Sequence, residues 1–197
     1  MGHPANDFKM PTSIGHAAAG IAAAWTADLI PGHRDWRTAP RQASWYRRAG
    51  NGFTLLCGAL GAVADLDLVI HSHRGATHSI GATIIVGLMA AALAWVARRP
   101  VVRVSLMSAA AYGTHVVLDW LGVDTFWPVG IQALWPFSTR WYISGLDIFL
   151  QTERAQFLSA AAIQINLAAV SREMMILTPL LVGLWIARTR ALAASVG

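Results

Sequence analysis

Residues 78–122 read HSIGATIIVGLMAAALAWVARRPVVRVSLMSAAAYGTHVVLDWLG. Two apolar runs, 78–97 and 104–122, stand either side of a short arginine-bearing turn. Each is about 20 residues, the length of helix that crosses the hydrocarbon core of a bilayer. The connection of about six residues is typical of antiparallel helical neighbours, so this stretch predicts a transmembrane hairpin. Three more apolar stretches flank it: 14–30, rich in alanine and glycine, 52–70, and one within 156–187. Small residues suit close helix packing in lipid. The fold expected is an all-α polytopic helical membrane protein with about five transmembrane helices.

The composition excludes the main alternatives. Of 197 residues, 55% are apolar and 13% charged, against about 25% charged in soluble domains. Mean hydropathy is +0.48, far from the low hydrophobicity of disordered chains. The net charge of +5 does not imply nucleic-acid binding. Apart from Lys9 the cations are scattered arginines, with no basic helix or aromatic-studded groove. Cys57 is alone, which rules out an intrachain disulfide, and it reads as a small buried hydrophobe. The opening MGHPANDFKMPTS lacks a basic region followed by an apolar one, so no cleaved signal peptide is expected. The chain divides into a tail (1–12), a membrane-embedded core (13–150) and a C-terminal interfacial or transmembrane helical region (151–197).

Arginines orient the spans. Arg34, Arg37, Arg41, Arg47 and Arg48 lie between the first and second, and Arg98, Arg99 and Arg103 between the third and fourth. Arg188 and Arg190 follow the last. The positive-inside rule puts all of them in the cytoplasm, with the N-terminus outside and the C-terminus inside. That parity favours one crossing after residue 150, either a long tilted helix or a crossing preceded by an interfacial segment.

This topology gathers the polar residues at the non-cytoplasmic end. His16 opens the first span, Asp65 and Asp67 close the second, His78 opens the third, and His115 and Asp119 close the fourth. Intramembrane ionisable residues mark function by default. His115 and Asp119, four apart, share a helix face, as two ligands of one metal would. Asp65 and Asp67 cannot share one, so the second span should unwind there. The candidate metal ligands are His16, Asp65, His78, His115 and Asp119. Mixed imidazole and carboxylate donors suit Zn²⁺, and also admit Mn²⁺ or Fe²⁺. The competing reading is a hydrogen-bonded His/Asp network with no metal.

Other residues surround this set. Asp67 is a ligand, a base or a group orienting a histidine, and with His73 it is the candidate for proton transfer. Arg74, beside Gly75, can grip a phosphate before the third helix or contact a lipid headgroup. His71 reads as a loop residue, and Thr77 as the N-cap of that helix. The aromatic segment Asp124–Phe149 reads as an interfacial belt, a lid over the cluster, or both.

Taken in order, Gly15-His16, Asp65-Leu66-Asp67, HRGATHS (His73 to Ser79), THVVLD (Thr114 to Asp119) and WPF (Trp135 to Phe137) resemble the YdjM-like family of bacterial inner-membrane proteins over about residues 11–150. That family is described as LexA-binding and as metal-dependent hydrolases. Its DxD is often followed directly by a histidine, where Leu68 stands here. The order His16, Asp65, His78, His115, Asp119 is also similar to that of the zinc-dependent phospholipase C and single-strand nuclease group, which implies phosphoester cleavage. The resemblances imply a metal-dependent hydrolase acting on an amphiphilic, lipid-like or phosphorylated substrate at the outer interface. The reading from a different class is a non-catalytic membrane binding or regulatory protein with a structural His/Asp cluster. A LexA-like partner follows from the resemblance alone, and would have to dock on cytoplasmic loops.

Overall fold

The computed structural model describes residues 11–30, 48–70, 74–153 and 158–194. Among these it is all-helical. The elements are α1 (Ser13–Ala27), α2 (Gly52–Ala62) running into a 3-10 helix (Val63–Ile70), α3 (Ile80–Val96), α4 (Val101–Leu121) and α5 (Ala160–Ala194). The expected antiparallel hairpin is α3–α4, and α4 is the central helix, packed against α1, α2 and α3. Its buried face carries Arg103, Met107, Ser108, Ala111, Tyr112, His115, Val116, Leu118 and Asp119. The spacing of three and four places these residues on one stripe.

The helices touch through small residues. A Cβ on Gly20 would lie 2.3 Å from the Cys57 carbonyl oxygen, and one on Gly61 would lie 2.3 Å from that of His16. The backbones of α1 and α2 are therefore in direct contact, with Ala24, Cys57, Met107 and Ala111 closing the core beneath them. Ser105 on α4 donates to the Gly87 carbonyl of α3 at 2.8 Å. Large apolar side chains point the other way. On α3, Leu88, Leu93, Trp95 and Val96 are 65–80% exposed, while Gly81, Gly87 and Ala94 are buried. Small and polar groups inside with large apolar groups outside invert the pattern of a soluble protein and match packing in lipid.

Two described helices are long and apolar enough to cross a membrane, within Val101–Leu121 and Ala160–Leu192, and Ile80–Val96 is apolar but shorter. The first two expected spans are shorter than 14–30 and 52–70 would make them. α1 ends at Ala27, and α2 gives way to the 3-10 helix at Val63, just before Asp65. The tighter 3-10 winding turns successive side chains in different directions from an α-helix. This is the unwinding that the DLD sequence demands. Within the C-terminal region, Ala160–Ala194 form one 35-residue helix.

At the end of the bundle away from His16, Asp28 draws three helices together. Its carboxylate accepts from Arg103 of α4 at 2.5 Å and from Arg188 of α5 at 2.8 Å. Arg188 also donates to the Arg48 carbonyl. All of Asp28, Arg103 and Arg188 are buried. Arg34, Arg37, Arg41 and Arg47 lie outside the described residues.

Candidate metal centre

Thr12 caps α1: its hydroxyl accepts from the Gly15 N–H at 3.0 Å, which fixes the first turn that carries His16. From α4, His115 donates through Nδ1 to the Gly61 carbonyl at 2.8 Å. That bond places a proton on Nδ1, so in the neutral ring Nε2 is the lone-pair nitrogen. His78, just before α3, has Nδ1 3.2 Å from Asp67 Oδ2 and 3.0 Å from the Thr77 hydroxyl. Thr77 in turn donates to Asp67. Asp67 thus stands behind His78 and turns its Nε2 inward, the arrangement by which an outer carboxylate orients a ligating imidazole.

The inward atoms converge on Asp119. His78 Nε2 lies 3.3 Å and His115 Nε2 3.1 Å from Asp119 Oδ2, and His16 Nε2 lies 3.2 Å from Asp119 Oδ1. Asp65 Oδ1 is 3.8 Å from His115 Nε2, and its other oxygen accepts from the Ser13 hydroxyl at 2.8 Å. The His16 and His115 rings stack with centroids 3.8 Å apart, and those of His78 and His115 meet edge-on at 4.7 Å. His16, His78 and His115 are wholly buried, and Asp65 and Asp119 nearly so.

These contacts are close, yet some of the facing atoms on His16, His115 and Asp119 make no hydrogen bond among the described residues. Neither ring nitrogen of His16, nor His115 Nε2, nor either oxygen of Asp119 has a hydrogen-bond partner among the described residues. An unsatisfied buried polar group costs roughly 1–3 kcal/mol, so several at one point call for a further occupant. A Zn–N distance of about 2.0–2.1 Å places tetrahedral ligand atoms about 3.4 Å apart, close to the separations here. Two groups can hold a metal ion: His16, Asp65 and His115, and His78, His115 and Asp119, with the ligand atoms of each within 4.8 Å of one another. The donor set fits a divalent ion.

All five expected ligands thus meet at one place, carried by α1, the 3-10 helix, the α3 entry and α4. Arg74 lies farther out. It is buried with φ 67°, ion-paired to Asp124, and lines a cavity of about 10 Å³ with Asp119. Asp124 also accepts from the Phe126 and Gly130 N–H groups at 3.0 and 2.6 Å. Arg74 therefore pins the aromatic segment over the centre. That segment also caps α3, since Ala133 and Trp135 carbonyls accept from the Ile80 and Gly81 N–H groups at 2.9 and 3.0 Å. Its Trp127 and Phe137 are about 90% exposed, as membrane-interface anchors would be. His71 and His73 lie outside the described residues.

Two features differ from the sequence reading. The N-cap of α3 is Ser79, which accepts from the Ala82 N–H at 3.0 Å, because the Thr77 hydroxyl is engaged by Asp67. Glu173 is a residue that sequence reasoning misses. It is buried on α5 and accepts from the Thr12 N–H at 2.6 Å and from the Thr12 hydroxyl, so it anchors the turn that presents His16. Gly15 permits the approach, as a Cβ there would lie 2.5 Å from Glu173 Oε2. One signal points to it: Glu173 is the one acidic residue in a largely apolar 35-residue helix.

A family model for the YdjM inner membrane protein matches residues 10–194. The chain belongs to the YdjM inner membrane protein family. The match runs past residue 150, so α5 and Glu173 lie inside the family region. No curated protein and no solved structure shows significant similarity to this YdjM-family chain.

Gly61 links packing to the site, because it touches α1 and accepts from His115. Gly61→Val should lower stability by about 1–3 kcal/mol, the usual cost of overpacking. Thermal unfolding of the purified variant in detergent checks this, and an unchanged midpoint would contradict it.

Proposed function

We propose that this YdjM-family protein is a membrane-bound, metal-dependent hydrolase that cleaves a phosphoester of an amphiphilic, lipid-like substrate at the non-cytoplasmic interface. The observation that carries the reading is the convergence of the His78 and His115 Nε2 atoms on Asp119 Oδ2 at 3.3 and 3.1 Å, with Nδ1 of each engaged elsewhere. Imidazole nitrogens and a carboxylate gathered at this spacing make a ligand set that suits a divalent cation. His16 and Asp65 extend that set, and Zn²⁺ is the ion proposed. When bound, such an ion lowers the pKa of water and polarises a phosphoryl oxygen.

The chain's own groups supply the rest. Hydrolysis forms a bond from water oxygen to phosphorus and breaks the ester P–O bond, with the water's proton passing to the leaving alcohol. Asp67, hydrogen-bonded to Thr77 and facing His78 Nδ1, fixes the ring and is placed to take up and return a proton. His73 is the other residue proposed for that transfer. Arg74 holds positive charge one small cavity away from Asp119, where it favours an anionic phosphoryl group.

The membrane reading proposed alongside has about five crossings, with the N-terminus outside and the C-terminus in the cytoplasm. It is supported by Arg48, Arg103 and Arg188 meeting around Asp28 at the end away from His16. Between His16 and Asp28 the helix rises about 18 Å. A reporter active only in the cytoplasm should work when fused after Arg99 and be silent after Gly122. The reverse pattern would overturn the orientation.

A further inference from the structure

Within HRGATHS, Arg74 stands four residues before His78. It is only 4% exposed, and a buried cation persists where it is paired. Asp124 supplies the pair. The guanidinium carbon also lies 5.9 Å from the centroid of the Trp141 ring, a cation–π distance. The backbone is fixed as well. Arg74 has φ 67°, a region that bulky residues seldom enter, and its carbonyl accepts from the Gln132 N–H at 3.1 Å. Asp124 is held in turn by the Phe126 and Gly130 N–H groups. Gly130 has φ 96°, and a Cβ there would lie 2.3 Å from the Tyr142 carbonyl oxygen. Only glycine fits that turn.

Asp124 does not use up the guanidinium. It engages Nη1, while the buried Nε has no hydrogen-bond partner among the described residues. A buried N–H without an acceptor is unfavourable, so this edge suits an oxygen that the chain does not supply. Arg74, Asp124 and Asp119 line one cavity of about 10 Å³, room for a single oxygen-sized group. Arginine thus stands on one side and the carboxylate at the middle of the candidate centre on the other. Five residues of the lining, Pro11, Arg74, Asp119, Gly130 and Ile131, are buried. Closed walls select among phosphoryl groups. The phosphorus of a diester carries two substituents that each need a way out, whereas that of a monoester carries one.

We infer that Arg74, pinned by Asp124 and Trp141, is a buried oxyanion site that takes the terminal phosphoryl group of a phosphomonoester. The inference rests on the proposed hydrolase reading and narrows its substrate class. Arginine suits the task because its planar fork donates along more than one edge. The Nη1 side holds Asp124, and the Nε side is left for a phosphoryl oxygen. Asp124 is then a positioning residue, which sets the fork before a ligand arrives. A lipid phosphate and a small soluble phosphate ester both present such a terminal group.

The test uses the full chain in detergent loaded with Zn²⁺, with ligand binding read by calorimetry and metal content by elemental analysis. Methyl phosphate should bind about ten-fold or more tighter than dimethyl phosphate, as a charge-assisted terminal group would. Arg74→Gln alone would leave Asp124 without its cation, so the comparison is Arg74→Gln combined with Asp124→Asn, which removes both charges. This double variant should keep its metal and bind methyl phosphate about ten-fold or more weakly than the unchanged protein. Failure of methyl phosphate to bind the loaded protein overturns the site, and equal binding of dimethyl phosphate overturns the monoester class. Unchanged methyl phosphate binding in the double variant overturns the assignment to Arg74. So does loss of its metal, which would make Arg74 and Asp124 supports of the ligand set. All four outcomes leave the metal reading standing. Absence of metal from the unchanged protein after loading overturns that reading and this inference with it. Dodecyl phosphate separates the sources: tighter binding than methyl phosphate places the group on a lipid and equal binding on a soluble ester, and either supports the terminal phosphoryl site.

Discussion

Asp119→Ala is expected to reduce both metal affinity and hydrolysis by more than about 100-fold. Losing an outer group that only orients a ligand costs about 10–100-fold, and Asp119 is proposed as a ligand itself. Its two oxygens face three imidazoles, from His16, His78 and His115, at 3.1–3.3 Å. Asp67→Ala should fall in the outer-group range instead, since Asp67 acts through His78 Nδ1. Metal titrations of the two variants check the order. If Asp119→Ala binds metal as tightly as the unchanged protein, the carboxylate is a structural partner of the histidines and the ligand assignment fails.

The largest loss of stability should come from the other end of the bundle. Asp28→Ala leaves Arg103 and Arg188 buried without their shared carboxylate. Removing one partner of a buried ion pair costs about 3–5 kcal/mol. The variant should unfold at a much lower temperature in detergent, or fail to accumulate. A triple variant, Asp28→Leu with Arg103→Met and Arg188→Met, should recover most of that loss, because well-packed apolar groups often replace a buried ionic cluster at little cost. A single variant as stable as the parent would show that the cluster does not join α1, α4 and α5.

The hairpin α3–α4 is legible in the sequence because two apolar runs joined by a short connection fold as antiparallel helical neighbours. The site follows from it. Once His78 starts one helix and His115 and Asp119 end the next, their side chains must lie at the same level. The break at Val63 is legible from two aspartates two residues apart. Other features depend on contacts distant in sequence, and local pattern carries no trace of them. Nothing near Glu173 announces Thr12, 161 residues away, and nothing near Asp28 announces Arg188, 160 residues away. The cap of α3 falls at Ser79 and not at Thr77 because Asp67 competes for the Thr77 hydroxyl. Helix periodicity does not mark the buried faces either. With apolar side chains outside and small ones inside, the contrast between faces that a soluble helix displays is largely absent.

The central claim is that His16, Asp65, His78, His115 and Asp119 hold a divalent metal ion. Elemental analysis of the purified protein, alongside His115→Ala, tests it most directly, because His115 belongs to both ligand groups. The expected result is about one equivalent or more of a transition metal, zinc foremost, per chain, falling to trace in His115→Ala. Trace metal in the unchanged protein, with the same content in His115→Ala, would contradict it.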